Sequence, residues 1–361
     1  MRLAGTALAA ALALLSVAAC SSSGGGSSSG GASSPGSTLT VGEFNPFTGP
    51  DAAFGPEMVG GCIPAIRLIN AAGGVLGHRM SCVQEDTRGD PADAVPAAQK
   101  MMATETSLVG VLGPSSDEAL ATAPLLNTGH VPMFVDTGQA AFDHSSYDYF
   151  WRITPADDVK GYAMALWAHQ AGYTRAAAVF GNDGLLPVIG TEVSLQAPWL
   201  KAVNGAIGAG SMAKYFEGMQ PYAPASGAAW QTYNKALLAS GSQVPSPSQW
   251  SSDPYSMTYY DAVNVMALAM LAAKSTNPAV FNKDVLTVTE PGPGKTVVTS
   301  FAAGKAALAA GKQIQYVGAG GPIVFDQWHN STGAFEAAKD VNGNPVLVGS
   351  VSAAQIAALS G

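Results

Sequence analysis

The feature that most constrains the fold of this chain is a strand–helix alternation running from Leu39 to Val135. Leu39-Thr40-Val41-Gly42 reads as a short strand. Met58 to Ala72 then carries Ile63, Ile66 and Ile69 at helical spacing, with Pro64 required near the helix start or at a kink. Gly73-Gly74 stops that helix, and Met80 to Gln84 forms the next strand. Asp93 to Thr104 reads as a helix, Leu108 to Leu112 as a strand, Glu118 to Thr128 as a helix and Pro132 to Val135 as a strand. Parallel strands need crossovers of about a dozen residues or more, usually helical, so this order predicts an α/β fold with a mostly parallel sheet.

The rhythm continues more faintly. Val159 to Gly172 is a predicted helix, Ala176 to Phe180 a strand, Val188-Ile189 a short strand, and a further helix is expected near Trp199. Ala228 to Ser240 and Tyr259 to Lys274 read as helices, the second very apolar. The tail carries strands at Ile323 to Phe325, Phe335 to Val341 and Val346 to Val348, with a turn at Asn342-Gly343.

Ahead of the alternation lies a different kind of sequence. Met1 and Arg2 precede an apolar run from Leu3 to Ala19, the hydrophobic core of a secretory signal and too short to span a membrane comfortably. The run reaches Cys20 through Val17-Ala18-Ala19, which resembles the lipobox of bacterial lipoproteins and implies acylation of Cys20 and removal of residues 1–19. Ser21 to Ser37 is Ser and Gly except for one Ala and one Pro, a flexible tether between that anchor and a folded domain. The expected location is the extracytoplasmic face of the cell membrane.

From Thr38 onward roughly 320 residues remain, enough for two domains. Only 12% of residues are charged, the net charge is −8, and no basic cluster is present, which argues against nucleic-acid binding. Besides Cys20 there are two cysteines, Cys62 and Cys82; an even pair in an exported domain reads as a disulfide, with two buried free thiols as the alternative. That bond would close a loop of about twenty residues and contribute about 3 kcal/mol by restricting the unfolded chain.

Several motifs occur in a familiar order: Ala53-Phe54-Gly55, Ile69 to Gly77, Glu85-Asp86-Thr87, Asp90-Pro91, Gly113-Pro114-Ser115-Ser116 and Val131-Pro132. Arg152 to Asp157, Val179 to Asp183, Tyr260-Asp261-Ala262-Val263 and Gly321 to Asp326 continue the series. Together they resemble the periplasmic-binding-protein family typified by leucine/isoleucine/valine-binding proteins. The resemblance implies a two-lobed type I periplasmic binding protein fold, with parallel-sheet lobes joined by three crossovers. It also implies a receptor that delivers a small-molecule ligand to an ABC permease, without enzymatic activity, cofactor or metal, and as a monomer. The expected division is 38–155 with 252–328 for lobe 1 and 156–251 with 329–361 for lobe 2. One departure stands out: about two strand–helix units are missing between the Phe180 to Asp183 motif and Val188, so a shortened second lobe is expected.

Ligands of open α/β sheets bind beyond the carboxyl ends of the strands. Ser115 and Ser116 open a helix there, so their hydroxyls and backbone N–H groups form a candidate carboxylate site, although an N-cap alone would explain one serine. Thr137 and Gln139 occupy positions where relatives offer hydroxyl and backbone groups, the alternative being a polar surface turn. Glu192 aligns with the acidic residue that pairs with a ligand ammonium in amino-acid binders, against a solvated glutamate on a remodelled loop. Phe54 either covers the ligand or belongs to the core.

Other motifs carry less. Gly292-Pro293-Gly294-Lys295-Thr296 looks like the end of a phosphate loop but lacks the preceding strand and the first glycine. Arg88-Gly89-Asp90 falls within the family's Asp-Pro stretch. His78, His130, His144, His169 and His329 have no metal-ligand spacing, and no nucleophile elbow occurs. The expected function is therefore capture of an amino acid or similar polar solute. The alternatives are a shortened non-transport relative acting in cell-surface interaction or sensing, and an extracellular hydrolase, which would need a base within reach of Ser115 or Ser116.

Overall fold

The computed structural model describes residues 36–49, 51–174, 188–191, 216–341 and 344–359, with 201, 203–206, 208 and 214. The expected signal segment, Cys20, most of the Ser/Gly tether, the strand Ala176–Phe180, Trp199 itself, Glu192 and the turn Asn342-Gly343 lie outside the described residues. So does most of the stretch on which the expected shortening of the second lobe turns. Residues 201 and 203–206 are helical, as expected near Trp199.

The predicted alternation forms. β1 (Leu39–Asn45), α1 (Gly55–Ala71), β2 (Met80–Asp86), α2 (Pro91–Thr104), β3 (Leu108–Leu112), α3 (Ser116–Thr128), β4 (Met133–Val135) and β5 (Phe150–Arg152) follow in order. They build a five-stranded sheet, β2-β1-β3-β4-β5, parallel throughout. Helix starts are set by local chemistry. Asp90 accepts from Ala92 N ahead of Pro91, and Asp253 accepts from Ser256 N ahead of Pro254, each acid capping a helix whose first position holds proline. Of the two expected placements, Pro64 is not near the start: it lies in the interior of α1, where the carbonyl its ring crowds belongs to a glycine, Gly60.

Apolar clusters cover both faces of this sheet. On one face Phe44, Met101, Val111, Leu126 and Phe150 pack among α2, α3 and the strands. On the other, α1 lies against the long helix α6 (Pro254–Ala273), and Val41, Ile69, Tyr259 and Met266 join one core. The Cys62–Cys82 disulfide is formed, with Cα atoms 6.3 Å apart, and joins α1 to β2.

The second body contains α4 (Asp157–Gln170), β6 (Val188–Thr191), β7 (Phe216–Pro221), β13 (Phe335–Val341) and β14 (Asn344–Val351), the sheet order being β14-β13-β7-β6. Here β6 and β7 are parallel while β13 is antiparallel to both β7 and β14. Its core joins Ala163, Met219, Phe335, Ala337 and Val351.

The chain passes between the bodies three times: after β5, after β7 and just before β13. The second passage comes earlier than the expected boundary at 251, because α5 (Gly227–Leu238) buries Tyr233 and Leu237 against the first body's core, beside α1. The passages touch one another: Arg152 N donates to His329 O at 3.0 Å, and Tyr222 N to Ala334 O at 2.8 Å. The remaining elements before the second body's β13 include α7 (Asp284–Thr289), β8 (Thr296–Val298), α8 (Phe301–Ala309), β9 (Ile314–Gly318), β10 (Gly321–Pro322), β11 (Val324–Phe325) and β12 (Ser331–Thr332). No helix among the described residues is long and apolar enough to cross a membrane.

Candidate functional site

Because all five strands of the first sheet run in one direction, the loops that follow them emerge at a single edge. Phe54, Ser115, Thr137 and Gln139 all sit on those loops, as does the cis peptide Gly113-Pro114. Gly113 must be glycine there: its φ is +89°, and a Cβ would lie 2.2 Å from Phe44 O.

Ser115 is the N-cap residue of α3, with extended backbone, yet its hydroxyl makes no hydrogen bond to the helix's first-turn N–H groups. Its Oγ instead lies 3.4 Å from Glu118 Oε2. Ser116 is the first residue of the helix. Thr137 is buried, and its hydroxyl accepts from Gln139 N at 3.4 Å. The Gln139 side-chain amide donates to Asp117, and the Gln139 backbone carbonyl accepts from Arg152 at 2.7 Å. Phe54 is half-buried at the start of α1; among the described residues it is Phe47, and not Phe54, that packs against the core.

Motif residues read only as marks of resemblance turn out to fix loops, Arg152 and Asp86 at this edge and Asp261 at the turn between β9 and β10. Arg152 is fully buried and pairs with Asp143 at 2.7 Å while holding Gln139 O, so one guanidinium fixes the whole turn after β4. Asp86 accepts from Phe47 N, Thr48 N, Thr48 Oγ1 and Arg88 N, tying the loop after β1 to the one after β2. Burial raises its pKa, but those donors outweigh burial and leave it below the usual carboxylate range. Asp261 accepts from Tyr316 Oη at 2.9 Å, Ala319 N at 2.9 Å and Gly320 N at 2.7 Å, fixing the turn between β9 and β10. Burial nevertheless pushes Asp261 up to about 7.

Two groups that the sequence did not single out change the electrostatics. Glu118 is buried beside the Ser115 turn; burial raises its pKa, the nearby Thr87 hydroxyl, Gly89 N–H and Ser115 hydroxyl lower it, and the Asp136 carboxylate raises it further. Tyr259, wholly buried on α6, is pushed well above the usual phenol range by burial and then by Asp136. The turns around Ser115 and Thr137 thus combine hydroxyls and helix N–H groups with nearby carboxyls. Glu118 was legible only as the glutamate three residues after an N-cap serine, the pattern of a capping pair.

The Ser115–Glu118 contact is the one a hydrolase would need, but it is a first-turn pairing between residues three apart at the start of α3, with the two oxygens a long 3.4 Å apart. Lys295, from the sequence resembling a phosphate loop, donates to Thr287 O at 2.7 Å and Glu290 O at 2.8 Å, capping α7. Among the described residues one trio of potential metal-ligand atoms comes together, Glu43 with Cys62 and Cys82, and its two sulfurs are engaged in the disulfide.

Residues 38–187 match the family model described as periplasmic binding protein. A Leu/Ile/Val-binding protein of Rhizobium johnstonii is 33% identical over 103 residues, 28% of this chain and 28% of that relative. The match therefore spans little more than a quarter of the curated relative's length. Among solved structures, the branched-chain amino acid transporter substrate binding protein of Streptococcus pneumoniae, in complex with isoleucine, superposes with TM-score 0.64. Its identity is 16%, and the superposition covers 87% of this chain and 99% of that one. A fatty acid ABC transporter substrate-binding protein from Thermomonospora curvata superposes with TM-score 0.65 at 12% identity, covering 89% and 94%.

The class is thus a type I periplasmic binding protein fold, and the relatives and structural neighbours are binding proteins rather than enzymes. Within it, the resemblance to the Leu/Ile/Val-binding branch read from the sequence is borne out.

Proposed function

We propose that this chain is an extracytoplasmic solute-binding lipoprotein of an ABC importer, holding an amino acid or related small polar solute between its two lobes. The observation that carries this reading is the convergence of Ser115, Thr137 and Gln139 at one sheet edge, next to the three adjoining passages that join the two bodies. In this reading Ser115, Ser116 and the N-terminus of α3 meet the ligand's carboxylate, Thr137 and Gln139 flank it, and Phe54 covers it. Glu192 answers the ammonium from the second lobe. It follows Thr191, the last residue of β6, which pairs in parallel with Met219 of β7. The shortened second lobe is part of the proposal, as is the Cys20 lipid anchor. Closure of the lobes on ligand would signal to the permease.

Nearby Glu118 and Asp136 make the Ser115 turn less hospitable to a bare anion than the sequence suggested, so a ligand lacking a balancing positive charge should bind poorly. A thermal-shift screen of amino acids, their amides, organic acids and sugars tests this. A zwitterion should raise the melting temperature, with the shift reduced in Ser115→Ala and Glu192→Gln. A cooperative melt insensitive to every solute would favour the interaction or sensory alternative.

A further inference from the structure

We propose that Cys62–Cys82 is a redox-active disulfide that exchanges with external thiols, with Glu43 supplying the proton to the departing Cys62 sulfur. Glu43 lies on β1, facing α1, in an interface otherwise built from Val41, Met58, Ala65 and Ile69. Its side chain is buried to 1% exposure and Oε1 has no hydrogen-bond partner. Burial, against a single hydrogen bond from Gln84, raises its pKa to about 7, and no cation contributes. A carboxyl in that position is a cost to folding that packing does not require. What it faces is the disulfide: the Glu43 oxygen and the two sulfurs lie within 4.8 Å of one another.

The two sulfurs are inequivalent. Cys62 is wholly buried on α1, while Cys82 is partly exposed on β2, the edge strand of the sheet. An external thiolate would attack Cys82 Sγ, forming a mixed disulfide and breaking the bond to Cys62. The Cys62 thiolate would then emerge in an apolar interior, where the charged form is disfavoured. Protonated Glu43 donates its proton there, giving a Cys62 thiol and a Glu43 carboxylate, which regains a proton from solvent. A second external thiolate attacks the outer sulfur of the mixed disulfide, leaving as the oxidised external disulfide and freeing Cys82, which is protonated by water. Two external thiols are oxidised and the protein disulfide is reduced by two electrons. In the reverse direction the Glu43 carboxylate accepts the Cys62 proton.

The test follows reduction of the purified full chain by excess dithiothreitol between pH 5.5 and 8.5, trapping freed thiols with an alkylating reagent and reading the mass. Rates are divided by the concentration of attacking thiolate. The wild-type profile should fall as pH rises through about 7, where Glu43 loses its proton. At pH 6 Glu43→Gln should be slower by at least about tenfold and show no bend. A flat wild-type profile would overturn the proposal without recourse to any variant. Identical profiles for the two proteins, or reduction only at the rate of global unfolding, would do the same.

Discussion

At Gly61 helix α1 approaches α6 closely, and replacing it with alanine tests how tightly the first body is built. A Cβ on Gly61 would lie 2.5 Å from Tyr259 Cβ, 2.7 Å from Ser256 O and 2.7 Å from Tyr260 N. Favourable separations are about 3.5–4.0 Å, so the helices would have to part by about 1 Å. Two of the three clashes are with backbone, which cannot rotate away, placing the cost near the upper end of about 1–3 kcal/mol for overpacking. Alanine recovers about 0.9 kcal/mol of helix propensity, leaving a net loss of about 2 kcal/mol. Gly161 is the matched control, because it lies exposed within α4 and a Cβ there meets nothing within 4 Å. Gly161→Ala should therefore stabilise by about 0.9 kcal/mol. Urea unfolding followed by circular dichroism and tryptophan fluorescence measures both. Opposite signs are expected, with Gly61→Ala also weakening ligand binding in the proposed function, since parting the helices moves Tyr259, which lies against Asp136 of the turn after β4. If Gly61→Ala matched Gly161→Ala, the close packing of α1 on α6 would be refuted.

Further expectations concern buried carboxyls and the anchor. Asp261→Ala strips acceptors from Tyr316 Oη, Ala319 N and Gly320 N and should cost about 3 kcal/mol or more at about 1–3 kcal/mol per unpaired buried donor, read from the urea midpoint. For Glu43 the folded pKa, about 7, lies above the ordinary glutamate value of 4.5, so the unfolded state binds fewer protons between those values and stability is lost as pH rises from 4.5 to 7. That penalty is on the order of 3 kcal/mol, so Glu43→Gln should be more stable than wild type at pH 8 and gain nothing at pH 4, as urea titrations at the two pH values would show. Cys20→Ala should move the protein from the membrane fraction to the soluble fraction on fractionation of expressing cells; retention in the membrane would count against lipid anchoring.

Much of the first body was legible because its pattern is local. Strand β3 occupies Leu108–Leu112 as predicted, and α2 and α3 begin where Asp90 and Ser115 open them. Strand β7 was not predicted, since Phe216–Pro221 contains a glycine, a proline and a buried acid. Glu217 is tolerated there because Trp167, Tyr173 and Lys339 all reach it, partners far away in the chain. The three-residue strands β5 and β8 are too short to show a period. At the candidate site, Ser115, Thr137 and Gln139 were found by their position after strands. Arg152 and Glu118 supply hydrogen bonds within it, and the role of Arg152 depends on distant loops that only the folded chain brings together.

The most direct test of the central claim is isothermal titration calorimetry of the purified protein with leucine, isoleucine and valine, alongside their amides and a fatty acid. Saturable one-to-one binding of a zwitterionic amino acid is expected, with a Kd of about 1 μM or tighter, weakened at least about tenfold by Ser115→Ala. A properly folded protein that takes up none of them, or binds the fatty acid and no zwitterion, would contradict it.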